Sequence, residues 1–162
     1  MVKEEDFLFR IMNQEEAEDI AYNWKYPGEL SFYDMTEDEE DLEEFINPEI
    51  RGQNTFTVEK PGLKGIFAFF MYDLLDNETA EFGFGINPKY IGNGYGYELL
   101  KYIEWSFYTK KGVNRLLIAV AEFNKRAIKL YSKFGFNVVG QFENKTNGGV
   151  YSFLKMEKKI NN

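Results

Sequence analysis

The sequence predicts a single α+β domain, one mixed β-sheet with helices against its faces, and three observations carry that prediction. Short β-branched or aromatic runs alternate with segments of helical periodicity, and capping and glycine-stop signals punctuate them. No linker, internal repeat or low-complexity tract divides the 162 residues. A chain of this length buries a substantial core as one unit, so the domain is read as 1–162.

The elements follow in order. Leu8–Met12 reads as a strand, and Asn13-Gln14-Glu15-Glu16 has the spacing of a capping box that opens a helix running to about Trp24. Thr36-Glu37-Asp38-Glu39 repeats the signal and predicts a second helix over 37–46, with Pro27-Gly28 and the aromatic stretch after it as the intervening loop. Thr55–Glu59 and Gly65–Tyr72, parted by Lys60-Pro61-Gly62, read as a hairpin, and Thr79–Ile86 as the next strand. Leu99, Leu100, Ile103 and Phe107 then fall at helical spacing up to Lys110-Lys111-Gly112. Arg115–Ala121 reads as a buried strand, and Asn124 as the cap of a helix that Gly135 ends. Strands over 136–143 and 149–157 close the order β-α-α-β-β-β-α-β-α-β-β.

Composition excludes several chemistries. There is no Cys and no His, so disulfides, Ser-His and Cys-His triads and Cys/His zinc sites are ruled out by residue type. Catalysis must rest on carboxylates, Tyr, Lys, hydroxyls and backbone groups. The acidic N-terminus lacks the order of a signal peptide and no apolar run spans a bilayer, so a cytoplasmic protein without membrane association is expected. Residues 1–50 carry 3 basic against 17 acidic groups, and residues 51–162 carry 16 against 10. The basic part suits an anionic phosphate-bearing ligand and the acidic part a cation, whereas the overall charge of −8 disfavours nucleic acid. The run Glu37–Glu44 also reads as a plain solvated helix face.

The segment from Ile86 to Gly96 joins a strand to a helix through alternating glycines. Without side chains at Gly92, Gly94 and Gly96, successive N–H groups at a helix N-terminus are open to a pyrophosphate. A dinucleotide fingerprint starting at Gly92 needs glycine where Tyr97 stands, and no P-loop motif occurs. Ile91-Gly92-Asn93-Gly94-Tyr95-Gly96 instead resembles the acetyl-coenzyme A signature [Q/R]-x-x-G-x-[G/A] of the GNAT N-acetyltransferases. Ile91 departs from its first position, which removes a side-chain contact and leaves the backbone donors. Downstream, Asn124 to Phe136 resembles the family's N-x-x-A-x-x-L-Y-x-K-x-G-F stretch. The likeness is strongest over 79–140.

This resemblance implies the GNAT acyl-CoA N-acyltransferase fold, acetyl-CoA as co-substrate and no metal. The strands before the glycine loop and before Asn124 are then expected to splay around the pantetheine arm. Phe84, Gly85 and Ile86 would line that arm, Asn124 and Ala127 would contact it, and Tyr131 would reach the thioester sulfur. Lys89, Lys125 and Lys133 either attract the CoA phosphates or are solvated charge. The implied reaction is direct attack of a neutral amine on the thioester, with a backbone N–H at Phe84–Ile86 holding the oxyanion. Tyr131 has the chemistry of the acid for the leaving sulfur, since an ordinary Tyr titrates near pH 10.

For the base, alternation places Ala80, Phe82, Phe84 and Ile86 on one strand face and Glu81 on the other with Gly83 and Gly85, a face predicted to be nearly bare. Glu81 is therefore the first candidate, Glu122 the second and a water chain the third. The family places its acceptor loop between the first two helices, where Trp24, Tyr26, Phe32 and Tyr33 either hold a cationic acceptor or close off the core. The acceptor is expected to be a small amine or a protein N-terminal amine. Pairing through the terminal strands would give a homodimer. The alternative is a catalytically silent domain that binds acyl-CoA as a sensor or scaffold.

Overall fold

The computed structural model describes residues 1–160. Seven strands, β1 (Leu8–Ile11), β2 (Thr55–Glu59), β3 (Ala68–Leu74), β4 (Thr79–Ile86), β5 (Arg115–Ala121), β6 (Asn137–Thr146) and β7 (Gly149–Lys159), form one sheet in the order β1-β2-β3-β4-β5-β7-β6. All neighbours are antiparallel except β4 and β5, which are parallel. A parallel pair needs a crossover, and α4 (Tyr95–Lys111) supplies it. The expected mixed α+β sheet is therefore present.

Helices α1 (Gln14–Asn23), α2 (Glu39–Ile46) and the short α3 (Pro48–Arg51) lie between β1 and β2, and α5 (Lys125–Phe134) lies between β5 and β6. Side-chain alternation on β3 shows how the faces are shared. Phe70 meets Phe107 of α4 at 5.9 Å and belongs to the larger core with Leu99 and Ile103 of α4 and Tyr131 and Phe134 of α5. Phe69 and Met71 point the other way, against Ala17, Ile20 and Ala21 of α1 and Phe45 of α2. The sheet thus carries α4 and α5 on one face, and α1 and α2 on the other.

The capping box of α1 forms as predicted: Glu16 donates its N–H to Asn13 Oδ1 at 2.8 Å, and Asn13 donates its own to Glu16 Oε1 at 3.1 Å. The cap of α2 is Asp38, not Thr36, because Asp41 donates its N–H to Asp38 Oδ1 at 2.9 Å. Thr36 lies in a 3₁₀ turn and accepts from Lys25 Nζ instead. Strand β3 starts three residues later than predicted, since Gly65 has φ of +74° and leaves the extended region.

Candidate active site

The β4–β5 ladder ends after Glu81 pairs with Leu117. Beyond that point β4 stays paired with β3 as far as Ile86, and β5 stays paired with β7 as far as Ala121, so the two strands part and leave facing edges free. The phase of the free edge is fixed by its ends. Leu75 donates to Thr79 O and Asn87 donates to Phe67 O, both toward β3, while Arg115 donates to Glu78 O toward β5. By alternation, the backbone groups of Gly83 and Gly85 face β3 and those of Phe84 and Ile86 face the gap. A cleft of about 620 Å³ occupies the gap and runs to the glycine segment.

At that end Gly92 and Gly94 take left-handed φ values of +81° and +77°, which glycine alone adopts without strain. Gly94 is the N-cap of α4 and offers no side chain, so the first N–H groups of the helix stay open. Gly96 serves a different purpose as well: a Cβ there would stand 3.0 Å from a Leu130 methyl, so its smallness lets α4 and α5 approach. Asn93 is turned away from the cleft, its amide donating to Tyr90 O and Ile91 O at 3.1 Å each. Ile91, Gly92, Gly94, Tyr95 and Gly96 do line the cleft.

Asn124 caps α5 by accepting from Ala127 N at 3.2 Å, and it donates its amide to the Tyr33 hydroxyl at 3.1 Å. Next to it the structure reveals a residue the motif reading did not single out. Arg126, in the first turn of α5, reaches back to the glycine loop, with its guanidinium 3.4 Å from where a Gly92 Cβ would sit. Lys133 also lines the cleft, with its ammonium over the Tyr97 ring. Lys89 and Lys125 do not line it.

Tyr131 and Ala127 line the cleft together. The Tyr131 ring meets Phe84 edge-on at 6.3 Å, and burial, with the neighbouring Tyr33 phenol, pushes its hydroxyl well above the ordinary tyrosine range. It is a neutral donor at every physiological pH. On the opposite wall the segment after α1 closes the cleft. Tyr26 donates its hydroxyl to Ile86 O at 2.7 Å, and burial and the Asp34 charge raise its titration also. Burial likewise raises Tyr33, while the hydrogen bonds from Asn124 and the Ala121 backbone hold it down.

Five expectations need correction. Trp24 is buried against Phe69 at 5.9 Å and belongs to the α1–α2 core. Phe32 packs into an aromatic cluster with Tyr33, Phe123 and Tyr151 and does not line the cleft. The face shared by Glu81 and Gly85 is not bare, because the Phe69 ring of the neighbouring strand covers Gly85, where a Cβ would come within 2.4 Å of it. Glu81 itself lies outside the cleft and pairs with Lys155 at 3.3 Å. Glu122 is also outside, accepting from Gln141 at 3.1 Å. Among the described residues lining the cleft there is no carboxylate.

A parted parallel strand pair, a glycine-led helix start and a buried tyrosine thus face one cleft, as the resemblance to the GNAT acyltransferases implied. The sequence agrees: the family model for the acetyltransferase (GNAT) family matches residues 14–136. The chain belongs to the GNAT acetyltransferase family. Solved structures with the same fold include an acetyltransferase (GNAT family) from Bacillus anthracis, 18% identical over 98% of this chain and 97% of that one, with a TM-score of 0.73. Another is spermidine N-acetyltransferase from Vibrio cholerae in complex with CoA and spermine, 21% identical over 95% of each chain, with a TM-score of 0.72. No curated protein matches the chain by sequence. Among the described residues, no helix is long and apolar enough to cross a membrane.

Proposed function

We propose that this chain transfers an acetyl group from acetyl-CoA to a small cationic amine of the polyamine kind, by direct attack in a ternary complex. One observation carries the reading: a single cleft joins the open helix start at Gly94, the free β4 edge at Phe84 and Ile86, and Tyr131. The helix start and Arg126 suit the pyrophosphate, and the free β4 edge suits the amides of the pantetheine arm. The spermidine acetyltransferase with the same fold and the acidic character of residues 1–50 favour a cationic acceptor over an anionic one.

In this reading the amine nitrogen attacks the thioester carbonyl, and a gap-facing N–H of Phe84 or Ile86 donates to the oxyanion. The C–S bond then breaks, the Tyr131 hydroxyl gives its proton to the leaving sulfur, and the phenol regains one from water as the cleft reopens. The cleft wall holds no carboxylate, so the proton lost by the amine leaves through water, the third of the routes weighed above. Glu81 and Glu122 act at most beyond that water. The test is release of CoA thiol from acetyl-CoA with spermidine, spermine, amino acids and a peptide N-terminus. Turnover with spermidine above the amino acids supports the reading. Thiol release with no amine in the panel, alongside tight CoA binding, would favour the silent acyl-CoA-binding domain.

A further inference from the structure

The acceptor wall of the cleft is fastened to the far end of the chain. Asp38 stands between the segment that carries Tyr26 and Tyr33 and helix α2, and its two carboxylate oxygens have different duties. Oδ1 caps α2 by accepting from Asp41 N at 2.9 Å. Oδ2 accepts from Asn147 N at 2.9 Å and from the Thr146 hydroxyl at 3.1 Å, more than a hundred residues away in the β6–β7 turn. The same turn answers with Asn147 Nδ2, which donates to Phe32 O at 2.7 Å, one residue before Tyr33. Asn147 holds a left-handed φ of +51°, the only positive φ among the described non-glycine residues, and Thr146 is buried. Below these bonds the Phe32 ring sits edge-on to Tyr151 of β7 at 4.9 Å.

We infer that Asp38 and Asn147 form a latch by which the terminal hairpin positions Tyr33 and its neighbours for the acceptor, making both of them positioning residues for acceptor recognition. The inference rests on the amine-acceptor reading above, but its physical content does not depend on which amine is used. Tyr33 is held from one side by Asn124 at the start of α5 and from the other through Phe32 by the latch. Loss of the latch frees the backbone at Phe32, loosens the placement of Tyr33, and leaves the glycine loop, Arg126 and Tyr131 untouched. Acceptor binding should then suffer without cofactor binding.

Asp38→Asn isolates the effect. Asn is as good an N-cap as Asp, so Oδ1 still serves Asp41, but the amide now presents N–H groups to the Asn147 N–H, donor against donor. Asn147→Gly is the independent variant: glycine keeps the left-handed turn and loses the bond to Phe32 O. With spermidine as the acceptor probe, each variant should raise the acceptor KM about five- to thirtyfold, as expected for loss of a hydrogen bond to a charged or buried group, with the acetyl-CoA KM within twofold of the parent. The double variant should add little to either single one, because both open the same latch. Amide hydrogen exchange reads the latch without turnover: peptides spanning 28–37 should exchange faster in both variants, and those of α4 at the parental rate. Unchanged exchange over 28–37, or equal increases in both KM values, overturns the inference. Faster exchange with a parent that ignores spermidine instead supports the latch and counts against the polyamine reading alone.

Discussion

Arg126→Ala tests whether Arg126 stands in for the side-chain contact that Ile91 lacks at the first motif position. Arg126 is exposed, and none of the ion pairs among the described residues involves it, so the substitution should leave the unliganded Tm within about 1 °C, as for ordinary surface changes. Its guanidinium lies against Gly92, beside the open N–H groups of α4, where a pyrophosphate would meet it. A charge-assisted hydrogen bond is worth about 1.5–3 kcal/mol, and exposure puts this one near 1–2 kcal/mol, or about a five- to thirtyfold rise in the Kd for CoA. At a fixed saturating CoA concentration the stabilisation from binding falls by the same about 1–2 kcal/mol. For a domain of this size that shrinks the CoA-induced rise in Tm by about 3–6 °C. Calorimetric titration and thermal shift, each with CoA and with dephospho-CoA, measure it. Equal losses for both ligands place Arg126 on the pyrophosphate. An unchanged Kd for both would refute the argument, and Ile91→Gln in the Arg126→Ala background should recover part of the loss.

Three further outcomes are expected. Tyr131→Phe should keep the CoA-induced Tm shift and slow turnover by roughly 10²–10⁴-fold, and because burial raises the parent's hydroxyl above pH 10, the parent rate should show no falling limb from this group below that pH; a Phe variant at parental rate would reduce Tyr131 to packing. Gly94→Val should abolish most of the CoA shift, since a branched side chain at φ of +77° both strains the cap and covers the open N–H groups; a parental shift would mean that the pyrophosphate binds elsewhere. Glu81→Gln should lower kcat/KM by less than about threefold across neutral pH, given its ion pair with Lys155 outside the cleft, and a loss of about a hundredfold that recovers at high pH would restore it as the base.

What the sequence made legible was local. The α1 capping box, the glycine stops at Gly112 and Gly135, the Asn124 cap and the glycine-led start of α4 each depend on a few adjacent residues, and each stands where its spacing placed it. What stayed hidden depends on neighbours distant in the chain. Period-two alternation assigns Glu81, Gly83 and Gly85 to one face, but says nothing of Phe69 on the next strand, whose ring fills the space that alternation leaves over Gly85. Arg126 carried a faint signal, a second basic group beside Lys125 in the first turn of α5, which becomes informative only when α5 is seen to start beside the glycine loop.

The segment after α1 shows why aromatic content alone cannot assign a wall to a site. Trp24 and Tyr26 are two residues apart, as are neighbours on one face of an extended chain, yet Trp24 is in the α1–α2 core and Tyr26 spans the cleft to Ile86. The difference comes from polar anchors. Asp34 accepts the Tyr26 N–H at 2.9 Å and fixes the turn, so the Tyr26 hydroxyl lands on Ile86 O, one of the β4 carbonyls left free by the parting of β4 and β5. Tyr33 and Phe32 divide in the same manner: the hydroxyl of Tyr33 finds Asn124, while Phe32, with no polar atom on its ring, turns to Phe123 and Tyr151. In both pairs the tyrosine faces the cleft because its oxygen needs a partner there, and the purely apolar ring or the indole packs away from it. In the proposed reading the acidic surface of α1 and α2 needs no carboxylate in the cleft: it would draw a cationic acceptor toward the protein by its field, and the chemistry inside would be left to backbone donors, Tyr131 and water.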